Sequence, residues 1–101
     1  MNLIPRTLPE ARLDIASYGD YLAERDPAVA LRFADAVDAT VEMLCRSPNL
    51  GERLHTDLLG QIRYRTVIDF KNYLVFYRQV DDVLEIVRVL HCARDYDKLF
   101  D

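Results

Sequence analysis

Two apolar runs separated by a few polar residues constrain this chain more than any other feature. Residues 73–78 (Tyr-Leu-Val-Phe-Tyr-Arg) and 83–90 (Val-Leu-Glu-Ile-Val-Arg-Val-Leu) are joined only by the polar stretch Gln79 to Asp82. β-Branched and aromatic side chains pack well on a pleated surface, and so short a polar link joins antiparallel neighbours. A third run, residues 62–68, precedes them. Helix formers fill the earlier part of the chain, so an α+β fold follows. The expected architecture is an N-terminal strand, an antiparallel two-helix hairpin, and a three-stranded antiparallel sheet packed on the helices.

The boundaries are written in the turn and cap residues. Residues 3–6 form a short first strand in which Pro5 favours an edge position. Thr7 then reads as a helix N-cap, with Pro9 in the first turn and Glu10 placed as in a capping box. Helix 1 runs over about 9–25, and its apolar positions Leu8, Ala11, Ile15, Tyr18 and Leu22 share one helical face. Gly19 costs this helix up to ~1 kcal/mol relative to alanine, a cost that a close helix–helix approach would justify. Asp26-Pro27 restarts the chain as cap and first helical residue of helix 2, over about 27–46, with Ala30, Phe33, Ala34, Val37, Val41 and Leu44 as its buried stripe. The stretch 47–51 (Ser-Pro-Asn-Leu-Gly) ends it, and a loop is expected to about Gly60. Strands over 62–68, 73–79 and 83–91 follow. Alternation puts Tyr73, Val75 and Tyr77 on one side and Leu74, Phe76 and Arg78 on the other. Both faces are therefore largely apolar and need covering.

A chain of 101 residues, half of them apolar, builds one core, so residues 1–101 are expected to form a single domain. No apolar run has membrane-spanning length, and the first residues lack the form of a secretory leader. Cys45 and Cys92 are far apart and outside any framework pattern, so they read as reduced thiols of a cytosolic protein. The net charge is −4, with 6 Lys/Arg against 10 Asp/Glu in residues 1–60 and 7 against 7 in residues 61–101. That balance disfavours wrapping a phosphate backbone but leaves room for a local basic site on the strand half.

His91, at the end of a core strand, is a candidate general acid or base, weighed against a structural histidine bonded to backbone or to Asp95. Arg63 and Arg65 alternate onto one strand face, where guanidinium groups can clamp phosphate or carboxylate or simply pair with helix carboxylates. Arg78 and Arg88 carry the same ambiguity, and Arg94-Asp95 can tie the C-terminus to the sheet. The adjacent His91-Cys92 pair lacks chelating spacing, so no metal is expected. Three glycines in total leave no phosphate-cradling or dinucleotide loop, and no cofactor is expected.

The order of these motifs also carries a resemblance. The strand, the helix hairpin, the "Ser-Pro-x-x-Gly" loop at 47–51, Arg63, the run 73–78, and Arg88-Val89-Leu90-His91 with Asp95 together resemble the ParE branch of the RelE/ParE toxin superfamily. The resemblance implies a toxin of a type II toxin–antitoxin module that inhibits DNA gyrase and is neutralised by a ParD-like antitoxin in a hetero-oligomer. The antitoxin would lie in the groove between hairpin and sheet, near Leu22 and Phe33, with Arg63, Arg65 and Arg94 as further partner contacts. A RelE-like alternative would cleave messenger RNA on the ribosome, with Arg63, Arg65 and Arg78 binding phosphate and His91 or Tyr96 moving protons. The acidic charge, and Tyr73-Leu74-Val75 where the ribonucleases tend to place an arginine, favour the ParE branch. An inactive relative that only binds antitoxin is the third reading.

Overall fold

In a computed structural model, which describes residues 2–100, the chain opens with strand β1 (Ile4–Thr7), followed by helices α1 (Pro9–Arg25) and α2 (Pro27–Arg46). A short 3-10 turn (Pro48–Leu50) leads into β2 (Glu52–Thr56), β3 (Gly60–Val67), β4 (Phe70–Val80) and β5 (Val83–His91), and a second 3-10 turn spans Tyr96–Leu99. The strands form one sheet in the order β1-β5-β4-β3-β2. The last four form an antiparallel meander, whereas β1 runs parallel to β5.

The helix bounds fall where the cap residues place them. Asp26 caps α2, its side chain accepting from the Ala28 amide at 3.0 Å. At α1 the cap differs from expectation. Thr7 still belongs to β1, opposite Ile86, and Leu8 occupies the cap position with no side-chain hydrogen bond. The Leu8 amide instead donates to the Ile86 carbonyl at 3.0 Å, and Glu10 reaches Arg88 rather than closing a capping box. Gly19 is not demanded by packing either, because a Cβ built there meets nothing within 4 Å.

Strand β2 is the element absent from the sequence expectation. Its residues are mostly polar, and it is held by its ladder to β3 at the sheet edge, where no apolar alternation is required. The strand expected over 62–68 also ends earlier than its pattern implies. A register shift at Thr66/Val67 turns Val67 into the core and leaves Ile68 in the turn, half exposed. A second shift leaves Val87 without a partner, since Tyr77 opposes Ile86 and Phe76 opposes Arg88.

Both sheet faces are buried, as the two-sided apolar strands require. The hairpin covers Tyr73, Val75, Tyr77, Ile86 and Val89 with Tyr18, Phe33, Val37 and Leu44. On the far side, Ile62, Leu74, Phe76 and Leu90 are covered by the C-terminal turn, which inserts the fully buried Leu99.

The Ser-Pro-x-x-Gly loop is pinned to the sheet by one phenol. Tyr77 Oη donates to the Pro48 carbonyl (2.7 Å) and accepts from the Gly51 amide (2.8 Å). Gly51 has an ordinary extended backbone (φ −72°), so glycine is there for space. A Cβ at this position would collide with Tyr77 Oη and come within 2.8 Å of the Tyr64 carbonyl. Gly51→Ala should therefore cost about 1–3 kcal/mol or more, read as a lowered urea midpoint. A midpoint equal to wild type would mean the loop adjusts freely.

Candidate functional site

Three surfaces gather the side chains that can act on a partner. The first is a groove of about 720 Å³ between the hairpin and β1, lined by apolar Ile15, Ala16, Val37, Val41 and Ile86, with Arg12 and Glu42 among its charged lining. It arises because β1 is short and exposed. The hairpin packs on β5 and leaves a trough beside the sheet edge.

The second surface is the open edge of β5 beyond β1. Here α1 supplies side chains where a strand would supply backbone. Asp14 accepts from the Val89 amide at 3.0 Å, and one turn later Tyr18 Oη accepts from the His91 amide at 2.9 Å. Asp14 also takes Arg88 in a bidentate pair (2.8 and 2.9 Å), joined by Glu10 at 3.3 Å. Tyr18 Oη donates in turn to Asp95 at 2.6 Å. Burial and that bond hold the Tyr18 phenol above its ordinary range, and the same bond, with Lys98 and Arg94 nearby, holds the Asp95 carboxyl below its own.

That depression gives Asp95 a defined acid dependence. Its contribution to stability is complete above the ordinary carboxylate pKa and is lost as the pH falls through the lower folded value. Tyr18→Phe should shrink this acid-sensitive loss, measured as the difference in urea midpoint between pH 7 and pH 3. An unchanged pH difference in Tyr18→Phe would show that Asp95 draws nothing from the phenol.

His91 sits inside this network. Its Nδ1 accepts from the Arg94 amide at 3.2 Å, which places the proton of the neutral ring on Nε2, and the ring meets Tyr73 edge-on. Its carbonyl accepts from the Asp95 amide at 2.9 Å, so Asp95 touches the His91 backbone rather than its ring. Arg94 lies over the Tyr18 and Tyr21 rings, 5.7 and 5.3 Å from their centroids.

The third surface carries Arg63 and Arg65. Neither pairs with a helix carboxylate; Arg63 donates to the Gly51 carbonyl (2.8 Å) and Arg65 to the Leu50 carbonyl (3.2 Å). Arg63 opposes Tyr77 while His91 opposes Tyr73, so the two lie on opposite flanks of β4. They are separated by about 13 Å along the strand and two strand spacings of about 4.8 Å across. Arg78 pairs with Glu85 at 2.9 Å, and Tyr96 packs near Phe76 on the far face. The candidate proton movers and phosphate binders are thus spread over both faces.

Of the expected apolar contacts, Leu22 is partly buried against the core, and Phe33, at 1% exposure, has no surface to offer a partner. The exposed apolar residues of the hairpin are instead Leu13 (70%) and Leu31 (71%). Sequence reasoning passed over Asp14, and placed Tyr77 on a strand face without its bonds to the 48–51 loop. The signal for Asp14 was its position, three after Ala11 and four before Tyr18, a carboxylate on an apolar face.

The family model for the ParE toxin of type II toxin–antitoxin systems, parDE, matches residues 6–96. The chain belongs to the ParE toxin family. In fold it is similar to a solved chain of the chromosomal ParDE toxin–antitoxin system of P. aeruginosa, with a TM-score of 0.70 and 19% identity over 88% of this chain and 95% of that one. No curated protein sequence matches the chain significantly. The ParE match runs from within β1 to the start of the second 3-10 turn, and so includes most of the groove lining, the β5 edge and the arginine surface. No helix is long and apolar enough to cross a membrane among the described residues.

Proposed function

We propose that this ParE-family chain acts in the bacterial cytoplasm as a toxin that inhibits DNA gyrase by surface contact, with no chemistry of its own, and that a ParD-like antitoxin neutralises it in a hetero-oligomer. Family membership supports the toxin role. The observation that carries the absence of chemistry is the dispersal of the reactive side chains. His91 Nδ1 is engaged by backbone, Arg88 and Arg78 are paired with carboxylates, and Arg63 lies on the opposite flank of β4 from His91. General acid–base cleavage of RNA needs a base and a charge stabiliser converging on one phosphate.

The antitoxin would seat an amphipathic segment in the groove beside β1, its apolar face against Ile15, Val37 and Val41. Leu22, Arg63, Arg65 and Arg94 would lie at or beyond the rim. Gyrase would meet the exposed arginine surfaces.

The test is gyrase supercoiling with purified chain, scored for lost supercoiling and accumulated cleaved DNA. Both should appear and both should vanish on adding the antitoxin. Unchanged supercoiling at large toxin excess would overturn the reading. It would turn attention to ribosome-bound message, where cleavage lost in His91→Ala would mark a RelE-like ribonuclease.

A further inference from the structure

We propose that the helix-facing corner of β2 and β3 is a phosphate-binding site, built on Arg53, Arg63 and Arg65 and sized for one or two phosphate groups. Arg53 and Arg63 are directly opposite each other in the β2–β3 ladder. Like charges so placed repel, and an anion bound between them would relieve that repulsion. Arg65 is two residues further along the same face of β3. Among the described residues, none of the three has a carboxylate within ion-pair distance. The same is true of Arg12, Arg25, Arg32 and Arg46 on the helices, but Arg53, Arg63 and Arg65 share one face of two neighbouring strands. The acidic residue of this corner, Glu52, pairs with Tyr64 on the adjacent register position and accepts from its phenol at 2.6 Å rather than from an arginine.

The two inner guanidinium groups are also held in place without being neutralised. Arg63 and Arg65 each donate to main-chain carbonyls of the 48–51 loop, which fixes their planes and leaves the remaining donors of each five-donor fork free. Their positive field reaches Tyr77, whose phenol is pushed up by burial and pulled back by the Gly51 amide and both arginines. Beside them lies an open depression of about 480 Å³ lined by Pro48, Asn49, Arg53, Gln61, Arg63 and Gln79, among others, with no acidic residue. Three amide side chains there can donate further hydrogen bonds.

Three unneutralised cations call for a ligand with more than one negative charge, which favours phosphate over a single carboxylate. The net charge of −4 opposes a long polyanion, so the fit is to a short phosphate contact: a diphosphate, or one or two phosphates of a nucleic-acid strand. This inference does not depend on gyrase being the target.

The experiment uses the full chain and its Arg53→Gln variant. Arg53 has no hydrogen bond or ion pair among the described residues, so the variant should fold. Without ligand it should melt at the same or a higher temperature, because the repulsion with Arg63 is gone. Titration calorimetry with sodium pyrophosphate should give binding that weakens roughly ten-fold or more in the variant and weakens with added salt. Sodium glutamate at equal ionic strength should not match it. Equal pyrophosphate binding by both proteins, no binding by wild type, or an equal response to glutamate would overturn the proposal. A single-stranded oligonucleotide that displaces pyrophosphate would support it and assign the site to a nucleic-acid strand. Pyrophosphate binding that the strand cannot displace would support it and assign the site to free phosphate.

Discussion

Asp14→Ala should lower unfolding stability by about 3–5 kcal/mol, the range for removing one partner of a buried ion pair. Asp14 and Arg88 are only 11% and 15% exposed, and Asp14 accepts three hydrogen bonds at once. It takes both arms of Arg88 and satisfies the Val89 amide on an edge that no strand covers. Without it, Arg88 keeps only the exposed Glu10, and the Val89 amide loses its acceptor. The check is urea unfolding followed by circular dichroism. Replacing the pair together, Asp14→Leu with Arg88→Met, should recover most of the loss, because the cost lies in the orphaned charge rather than in the missing bridge. A single-variant loss under about 1 kcal/mol would place the edge energetics elsewhere.

The second large effect lies on the opposite face. Leu99→Ala should cost about 2–5 kcal/mol, as for a fully buried leucine whose cavity collapses only in part. Leu99 is the residue that the C-terminal turn presses onto Phe76, Leu90 and Ile62, while Tyr96 packs beside it. The loss of that cover would expose an apolar sheet face, so the variant should also bind a hydrophobic dye before its unfolding midpoint. Wild-type stability without dye binding would show that the far face is closed without Leu99.

The helices and the central hairpin were legible because proline, aspartate and apolar periodicity act locally. Pro9, Asp26-Pro27 and Ser47-Pro48 each mark a boundary that the backbone obeys whatever surrounds it. The need to cover both faces was legible for the same reason, since alternation along β4 depends on nothing distant. What escaped was decided across space. Strand β2 is a strand because β3 lies beside it. The parallel seat of β1 depends on β5, some eighty residues away in sequence. The register shifts at Val67 and Val87 are features of how the strands pair, and no local residue pattern announces them.

The arginines make the same point for the site. Their spacing on β3 put Arg63 and Arg65 on one face, and the register bears that out. Their partners were not legible, because the loop carbonyls that hold them are placed by Tyr77, a residue of another strand. His91 likewise took its character from Tyr18 and Arg94 rather than from its own neighbours in an apolar run.

A stoichiometric titration of gyrase with toxin tests most directly whether this ParE-family chain works as a surface rather than as a catalyst. Wild type and His91→Gln should inhibit supercoiling and trap cleaved DNA alike, and inhibition should level off only as toxin approaches the concentration of gyrase. If substoichiometric toxin instead degrades ribosome-bound message, and His91→Gln abolishes that activity while gyrase is untouched, the chain is an enzyme and the surface reading fails.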